Sequence, residues 1–345
     1  MTRRERLEIA VTAVLVAAAA LSSYGGAGAV VTFVVAAVAL AALARLVGGA
    51  TEQLGSRLGS GSAGVVQSAL GNLPELFISL FALHRGLFGV VQAALVGSIL
   101  ANSVLVLGIA FVVGGLRHGT LRFDSERARM ISTLTLLAAA TMAIPSLAHA
   151  FHTPAEAHGH ALSLICAAVL LAVFVLTLPS FLRSGEELHE PPRWSARTTT
   201  LVLGGAGVAA AFTSDWFVNA LGPAIHTLHM SEDFAGLVIV AIAGNAVENV
   251  VGIQLAAKNR PDFAISVILN SSLQVALALT PVLVFASFFF STNLTLVFPT
   301  LLAFSLLLAA GIGAMVVYDG ESTWAEGAIL IGLYVVIAAS FWWGS

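Results

Sequence analysis

Charge is what this chain has least of: 10% of its 345 residues are Asp, Glu, Lys or Arg, and Lys258 is its one lysine. Water-soluble domains carry roughly 25% charged residues. The deficit, together with 58% hydrophobic residues and a mean hydropathy of +0.96, excludes a soluble globular domain and reads as an integral membrane protein. A net charge of −3 provides no polycationic surface, which excludes nucleic acid as a partner. Cysteine occurs once, as Cys166 in an apolar stretch, so no disulfide forms within the chain and the residue is core filling. Also missing are an H-E-x-x-H helix and any paired nucleophile and base, which argues against an intramembrane enzyme. Gly59-Ser60-Gly61-Ser62-Ala63-Gly64 matches the dinucleotide pattern but has no flanking strand, so it reads as a flexible helix entry and implies no cofactor.

Long apolar stretches fill the space that charge leaves. A helix needs about 20 residues to cross the hydrocarbon core. Eleven stretches approach or exceed that length: about 7–24, 28–48, 62–84, 88–113, 128–149, 160–183, 199–222, 233–257, 262–290, 294–317 and 323–343. The expectation is an all-α integral membrane fold of eleven transmembrane helices with the lipid bilayer as its surroundings and no obligatory protein partner. Cytoplasmic loops are enriched in Lys and Arg. With the amino terminus cytoplasmic and the carboxyl terminus outside, 14 of the 15 basic residues fall inside and only Arg85 falls outside. One helix more or fewer in the middle scatters these charges over both faces. The first stretch follows Arg3 and Arg4 as a secretory signal would, but its apolar run is long for the 7–15 residues of a signal core, so it is kept as a span. The scarcity of lysine and the short loops suggest a prokaryotic plasma (inner) membrane.

Within this background one pattern, G-N-x-x-E, occurs twice inside apolar segments, at Gly71-Asn72-Leu73-Pro74-Glu75 and Gly244-Asn245-Ala246-Val247-Glu248. A shift of 173 residues superposes the two, and also lays Ser98 on Ser271 and Leu100 on Leu273. Ala50-Thr51-Glu52 has a looser counterpart in Thr213-Ser214-Asp215. The repeating unit is five helices, 28–183 and 199–345, with 1–27 as an extra amino-terminal helix and 184–198 as an acidic cytoplasmic connector holding Glu186, Glu187 and Glu190. An odd number of crossings per unit makes the second copy enter from the opposite side, so the repeats are expected to be inverted. Such copies meet near the bilayer midplane and support alternating access.

Ionised side chains at bilayer depth are costly and are functional by default. Pro74 removes a backbone donor, so it is expected to free the carbonyl of Leu70 and kink its helix, with Gly71 loosening the same turn. Gly244 has no proline beside it, and a milder break is expected there. The polar side chains near the two motifs are oxygen donors: Asn72, Glu75, Ser98, Asn102, Asn245, Glu248, Ser271, Ser272 and Gln274. Neither cysteine nor histidine joins them at that depth. An all-oxygen set suits a hard cation such as Ca²⁺, whereas Zn²⁺ and copper favour nitrogen and sulfur. Two glutamates in one cavity also bind protons, because burial and mutual repulsion favour their neutral forms while a dication favours the charged ones. Metal and proton then compete, which is the logic of an exchanger rather than a channel. Glu52 and Asp215 are candidate accessory acids.

The blocks at Ala50 to Leu54, Gly71 to Ser79, Gly97 to Gly108, Gly244 to Ile253 and Ser271 to Ala276 resemble those of the cation/proton exchangers of the calcium/cation antiporter superfamily, in particular its calcium/proton antiporters. The resemblance implies an eleven-helix antiporter that moves Ca²⁺ out of the cytosol against protons. Glu75 and Glu248 would be its central ligands and proton acceptors, helped by Asn72, Asn102, Asn245, Ser271 and Gln274, with Glu52 and Asp215 at gating helices. Two positions depart from the family pattern: Asn249 replaces a common histidine, and Asn270 a common glycine. The G-T-S-type block of sodium/calcium exchangers is absent, leaving sodium coupling or broader cation specificity as the alternative. Outside the membrane, His149, His152, His158 and His160 have metal-like spacing, but a surface loop is the simpler expectation.

Overall fold

The computed structural model describes residues 1–58, 71–183, 193–290 and 293–344. The Gly59–Gly64 motif, Leu70 and the acidic residues of the connector lie outside the described residues. Among the described residues, eight helices are long and apolar enough to cross a membrane. They are α1 (Arg3–Tyr24), α2 (Ala29–Leu58), α4 (Phe88–His118), α5 (Ser125–Ala150), α6 (Gly159–Arg183), α7 (Ala196–Leu228), α10 (Pro261–Phe289) and α12 (Trp324–Phe341). A further stretch is a bent pair, α8 (Glu232–Gly244) and α9 (Ala246–Ala257), with a 64° bend at the break. Two shorter apolar helices, α3 (Leu73–His84) and α11 (Thr300–Val316), complete the set. Starts are written locally: Thr2 with Glu5 and Thr323 with Glu326 form capping boxes, and the Asp124 and Ser195 side chains accept from the first free N–H groups of α5 and α7.

The chain forms two compact units that do not follow chain order. The first comprises Met1–Ala82, Val173–His229 and Ala243–Val247. Its centre is the pairing of α2 with α7, where Leu43 and Val47 bury against Ala206 and Ala210, flanked by Val16 of α1 and by Leu73 and Phe77 of α3. Lipid is as apolar as leucine, so close packing rather than water exclusion holds helices together in a membrane, and the alanines of α7 permit that approach. At one end Gln53 Oε1 accepts from the backbone N–H groups of Arg193 (2.8 Å) and Trp194 (3.2 Å), and Arg57 donates to the Trp194 carbonyl.

The second unit comprises Leu83–Ala172, Met230–Ile242 and Glu248–Ser345. Glycines set its closest helix contacts. A Cβ on Gly97 would lie 2.3 Å from the Leu237 carbonyl oxygen, and one on Gly236 would lie 2.4 Å from that of Val90, so α4 and α8 touch backbone to backbone. Gly108 and Gly327 do the same for α4 and α12. Loops at one end are tied together: Arg122 Nε pairs with Glu321 Oε1 at 3.1 Å, and the Asp124 N–H donates to Asp262 Oδ1 at 2.6 Å.

The expected all-α class holds, and among the described residues the strand pairing is confined to two residues a side, β1 (Leu121–Arg122) antiparallel with β2 (Glu321–Ser322). Gly119 and Gly320, at φ of 80° and 79°, turn the chain just before each strand, leaving two extended residues to pair. The tenth apolar stretch was expected to be helical from 294, yet α11 begins at Thr300. Pro299 precedes it, and residues before proline are pushed to extended backbone. The freed groups of 294–298 are met by side chains. Ser287 Oγ accepts from the Leu294 N–H, Ser163 Oγ from that of Leu296 and Ser146 Oγ from that of Phe298, while Gln92 donates to the Thr295 and Val297 carbonyls. Non-helical backbone is tolerated at membrane depth only when it is satisfied by protein in this way.

Candidate functional site

Both G-N-x-x-E motifs adopt the same local design. The asparagine stands at a break, and the glutamate is the third residue of the helix that follows: Asn72 then Leu73–His84, Asn245 then Ala246–Ala257. The Asn72 carbonyl accepts from the Leu76 N–H at 2.9 Å, which opens α3. Each glutamate therefore lies in a first turn, where backbone N–H groups have no intrahelical partner. Pro74 is the second residue of α3, a first-turn position where a missing N–H is tolerated; Leu70, whose carbonyl it is expected to free, lies outside the described residues. The second motif breaks more sharply than its lack of proline suggested. Gly244 is backed against Glu75, so that an added Cβ would sit 3.2 Å from Glu75 Cβ, and the helix bends by 64° past it.

In the first unit Glu75 is 1% exposed, with Asn72 and Asn245 also buried. Thr51 and Ser214, from the two loosely matched blocks, are buried as well, whereas Glu52 beside Thr51 is exposed and Asp215 is half-buried, accepting from Asn219 Nδ2 at 3.2 Å. In the second unit Glu248 and Gln274 are half-buried, and Ser98, Asn102, Ser271 and Ser272 are buried. Asn102 Nδ2 donates to Ser271 Oγ at 3.0 Å, and Ser103 Oγ and Ser272 Oγ share a hydrogen bond of 3.0 Å. The Asn102 amide is thus held by its nitrogen. Its Oδ1 is buried and makes no hydrogen bond among the described residues, and the same holds for Thr51 Oγ1, Ser79 Oγ, Ser214 Oγ and Asn249 Oδ1. An unsatisfied buried oxygen costs about 1–3 kcal/mol, a cost that a hard cation ligated there would offset.

Ser79 in the first unit and Ser103 in the second are further buried hydroxyls that residue pattern did not single out, and the backbone around Ser103 was not legible either. Ala101–Val106 of α4 and Val275–Leu279 of α10 are π-helical turns, which coincide under the same 173-residue shift. A third, Ala235–Val240, lies in α8. Such wide turns concentrate at functional sites because they re-aim side chains and loosen carbonyls. Nothing in residue type announces them in an apolar run. Among the described residues no three His, Cys, Asp or Glu side chains converge to hold a metal, so any cation near either motif draws on amide, hydroxyl and carbonyl oxygens besides carboxylate. The histidines of 149–160 form no metal-holding group among the described residues: His149 Nδ1 and His152 Nδ1 each pair with one oxygen of Glu156, at 3.0 and 3.1 Å.

Comparison with known proteins adds independent findings. The model of the family described as sodium/calcium exchanger protein matches residues 28–183 and 198–343. The Ca²⁺/H⁺ antiporter ChaA of Bacillus subtilis is 36% identical over 321 residues, covering 90% of this chain and 92% of that protein. A Ca²⁺/H⁺ antiporter of Aphanothece halophytica is 32% identical over 339 residues, covering 90% and 89%. The solved structure of native YfkE superposes with a TM-score of 0.82 at 34% identity, covering 96% of this chain and 99% of that one.

Proposed function

This chain belongs to the sodium/calcium exchanger protein family, and on that footing we propose that it exchanges cytosolic Ca²⁺ for protons by alternating access at a site shared by Glu75 and Glu248. The observation that carries the reading is the duplication of one device, an asparagine at a helix break followed by a glutamate in the next first turn, at Asn72–Glu75 and Asn245–Glu248. The names of the relatives that cover nine-tenths of the chain support Ca²⁺ and H⁺ as the exchanged ions. We read the eight long helices, the bent α8–α9 pair and the two short helices α3 and α11 as eleven crossings, α1 followed by two inverted five-helix repeats. The fall of 14 of the 15 basic residues on one side under this topology supports a cytoplasmic amino terminus.

The chemistry follows from oxygen donors alone. Glu75 and Glu248 bind Ca²⁺ when ionised, with Asn72, Asn102, Asn245, Ser98, Ser271 and Gln274 supplying neutral oxygens. Protonation removes the negative charge the dication needs, so loading one ion ejects the other. Reconstituted vesicles test this: an imposed pH gradient drives uptake of radiolabelled Ca²⁺, and Glu75→Gln and Glu248→Gln each abolish it. Lower pH weakens Ca²⁺ binding by up to about tenfold per unit for each proton displaced. Uptake that persists in either glutamine variant, or Ca²⁺ binding indifferent to pH, overturns the reading.

A further inference from the structure

A cavity of about 510 Å³ opens between α1, α2 and α7, entirely within the first unit. It exists because short side chains leave a gap: Ala13 and Ala17 of α1 and Gly205 and Ala206 of α7 line it opposite Leu43 and Leu46 of α2. The space is a groove open on one side rather than an enclosed void, and its volume falls in the about 300–1,000 Å³ range of ligand pockets. Thr12 contributes the one hydroxyl of the lining, and that group is spent on its own helix, donating to the Glu8 carbonyl at 2.8 Å. With no polar group directed inward, the occupant of the groove is hydrocarbon.

One end of the groove is cationic. Ile9 and Leu46 line it, and their chain neighbours Glu8 and Arg45 meet at 3.3 Å, with Arg4 Nε 3.7 Å from the same Glu8 oxygen. Arg4 and Arg45 keep 84% and 49% of their side chains exposed. Arg3 and Arg6 begin α1 and Arg197 begins α7, all exposed, so five guanidiniums stand against the carboxylates of Glu5 and Glu8. We propose that this groove holds an acyl chain of an anionic phospholipid, with the headgroup phosphate at Arg45 and Arg4. An acyl chain is narrow and wholly apolar, as the slot requires. The surplus of guanidinium over carboxylate selects a net negative headgroup over a zwitterionic one.

The test uses the full chain in nanodiscs of equal parts phosphatidylcholine and phosphatidylglycerol, with phosphatidylglycerol carrying a photoreactive diazirine in one acyl chain. Labelled peptides are expected from the α1, α2 and α7 stretches that line the groove, at several-fold higher yield than from a phosphatidylcholine probe with the same tail. Gly205→Leu fills the groove where an added Cβ meets nothing within 4 Å, so it cuts that labelling several-fold while leaving the melting temperature unchanged. Gly204→Leu, beside it but outside the lining, leaves labelling intact. Arg45→Gln brings the phosphatidylglycerol yield down towards the phosphatidylcholine yield. Should Gly205→Leu melt early, Ala17→Leu serves for the same comparison. Equal yields from the two probes on the unaltered chain, labelling indifferent to both filling variants, or cross-links joining two copies through these helices each overturn the proposal.

Discussion

Gly244→Ala tests whether Glu75 works at the site, because it touches that side chain without removing its carboxylate. The added Cβ lies 3.2 Å from Glu75 Cβ and 3.3 Å from Cγ, inside the about 3.5–4.0 Å optimum for carbon pairs. Glu75 must therefore retreat by a few tenths of an ångström. Ca²⁺–oxygen distances span only about 2.3–2.6 Å, so a displacement of that size is comparable with the whole tolerance of the ligand. Overpacking costs about 1–3 kcal/mol, and alanine's helix preference returns at most about 1 kcal/mol, leaving a net loss of about 0–3 kcal/mol in stability. The expected transport effect is a loss of about tenfold in KM, equivalent to about 1.4 kcal/mol of Ca²⁺ affinity. The measurement is pH-driven Ca²⁺ uptake across a concentration series in vesicles, beside a melting curve in detergent. Gly204→Ala is the control, since its Cβ would meet nothing within 4 Å. A folded Gly244→Ala protein with unaltered KM refutes the argument, because Glu75 would then be moved without consequence.

Other expectations follow from the same contacts. Gly97→Ala drives a Cβ to within 2.3–2.7 Å of three Leu237 backbone atoms that cannot swing aside, so it costs at least about 3 kcal/mol and lowers the melting temperature far more than Gly204→Ala does. Asn102→Ala and Ser271→Ala each break the 3.0 Å bond between them; a double-mutant cycle is expected to give a coupling of about 0.5–1.5 kcal/mol, and additive losses would dissolve the link. Ser146→Ala strands the Phe298 N–H and the Leu296 carbonyl in the extended entry to α11, for a loss of about 1–3 kcal/mol in chemical denaturation. Glu156→Gln, by contrast, touches only an exposed pair of histidines and is expected to shift stability by less than about 1 kcal/mol.

Much of the helical framework was legible in the chain because it rests on local chemistry. An apolar run of membrane length must satisfy its own backbone groups, and a helix does so without reference to neighbours. Thr2, Asp124, Ser195 and Thr323 mark helix starts by the bonds their own side chains accept. Less legible was where helices break. Pro74 stands in the first turn of α3, just past a break at Asn72, while the 64° bend at Gly244 has no proline to announce it. Likewise 294–298 reads as apolar helix, and only serines and a glutamine from other segments make its extended form affordable.

By itself, then, the order of residues determined that this protein is a membrane-embedded helical chain carrying two copies of one acidic motif, since hydropathy and spacing are properties of a single strand of polymer. Tertiary structure decided which oxygens are spent and which are spare: Asn102 is held by Ser271 with its Oδ1 left over, and Gly244 is pressed against Glu75. Those facts depend on distances between segments far apart in the chain, which no periodicity encodes, because a hydrogen bond is won or lost over a few tenths of an ångström.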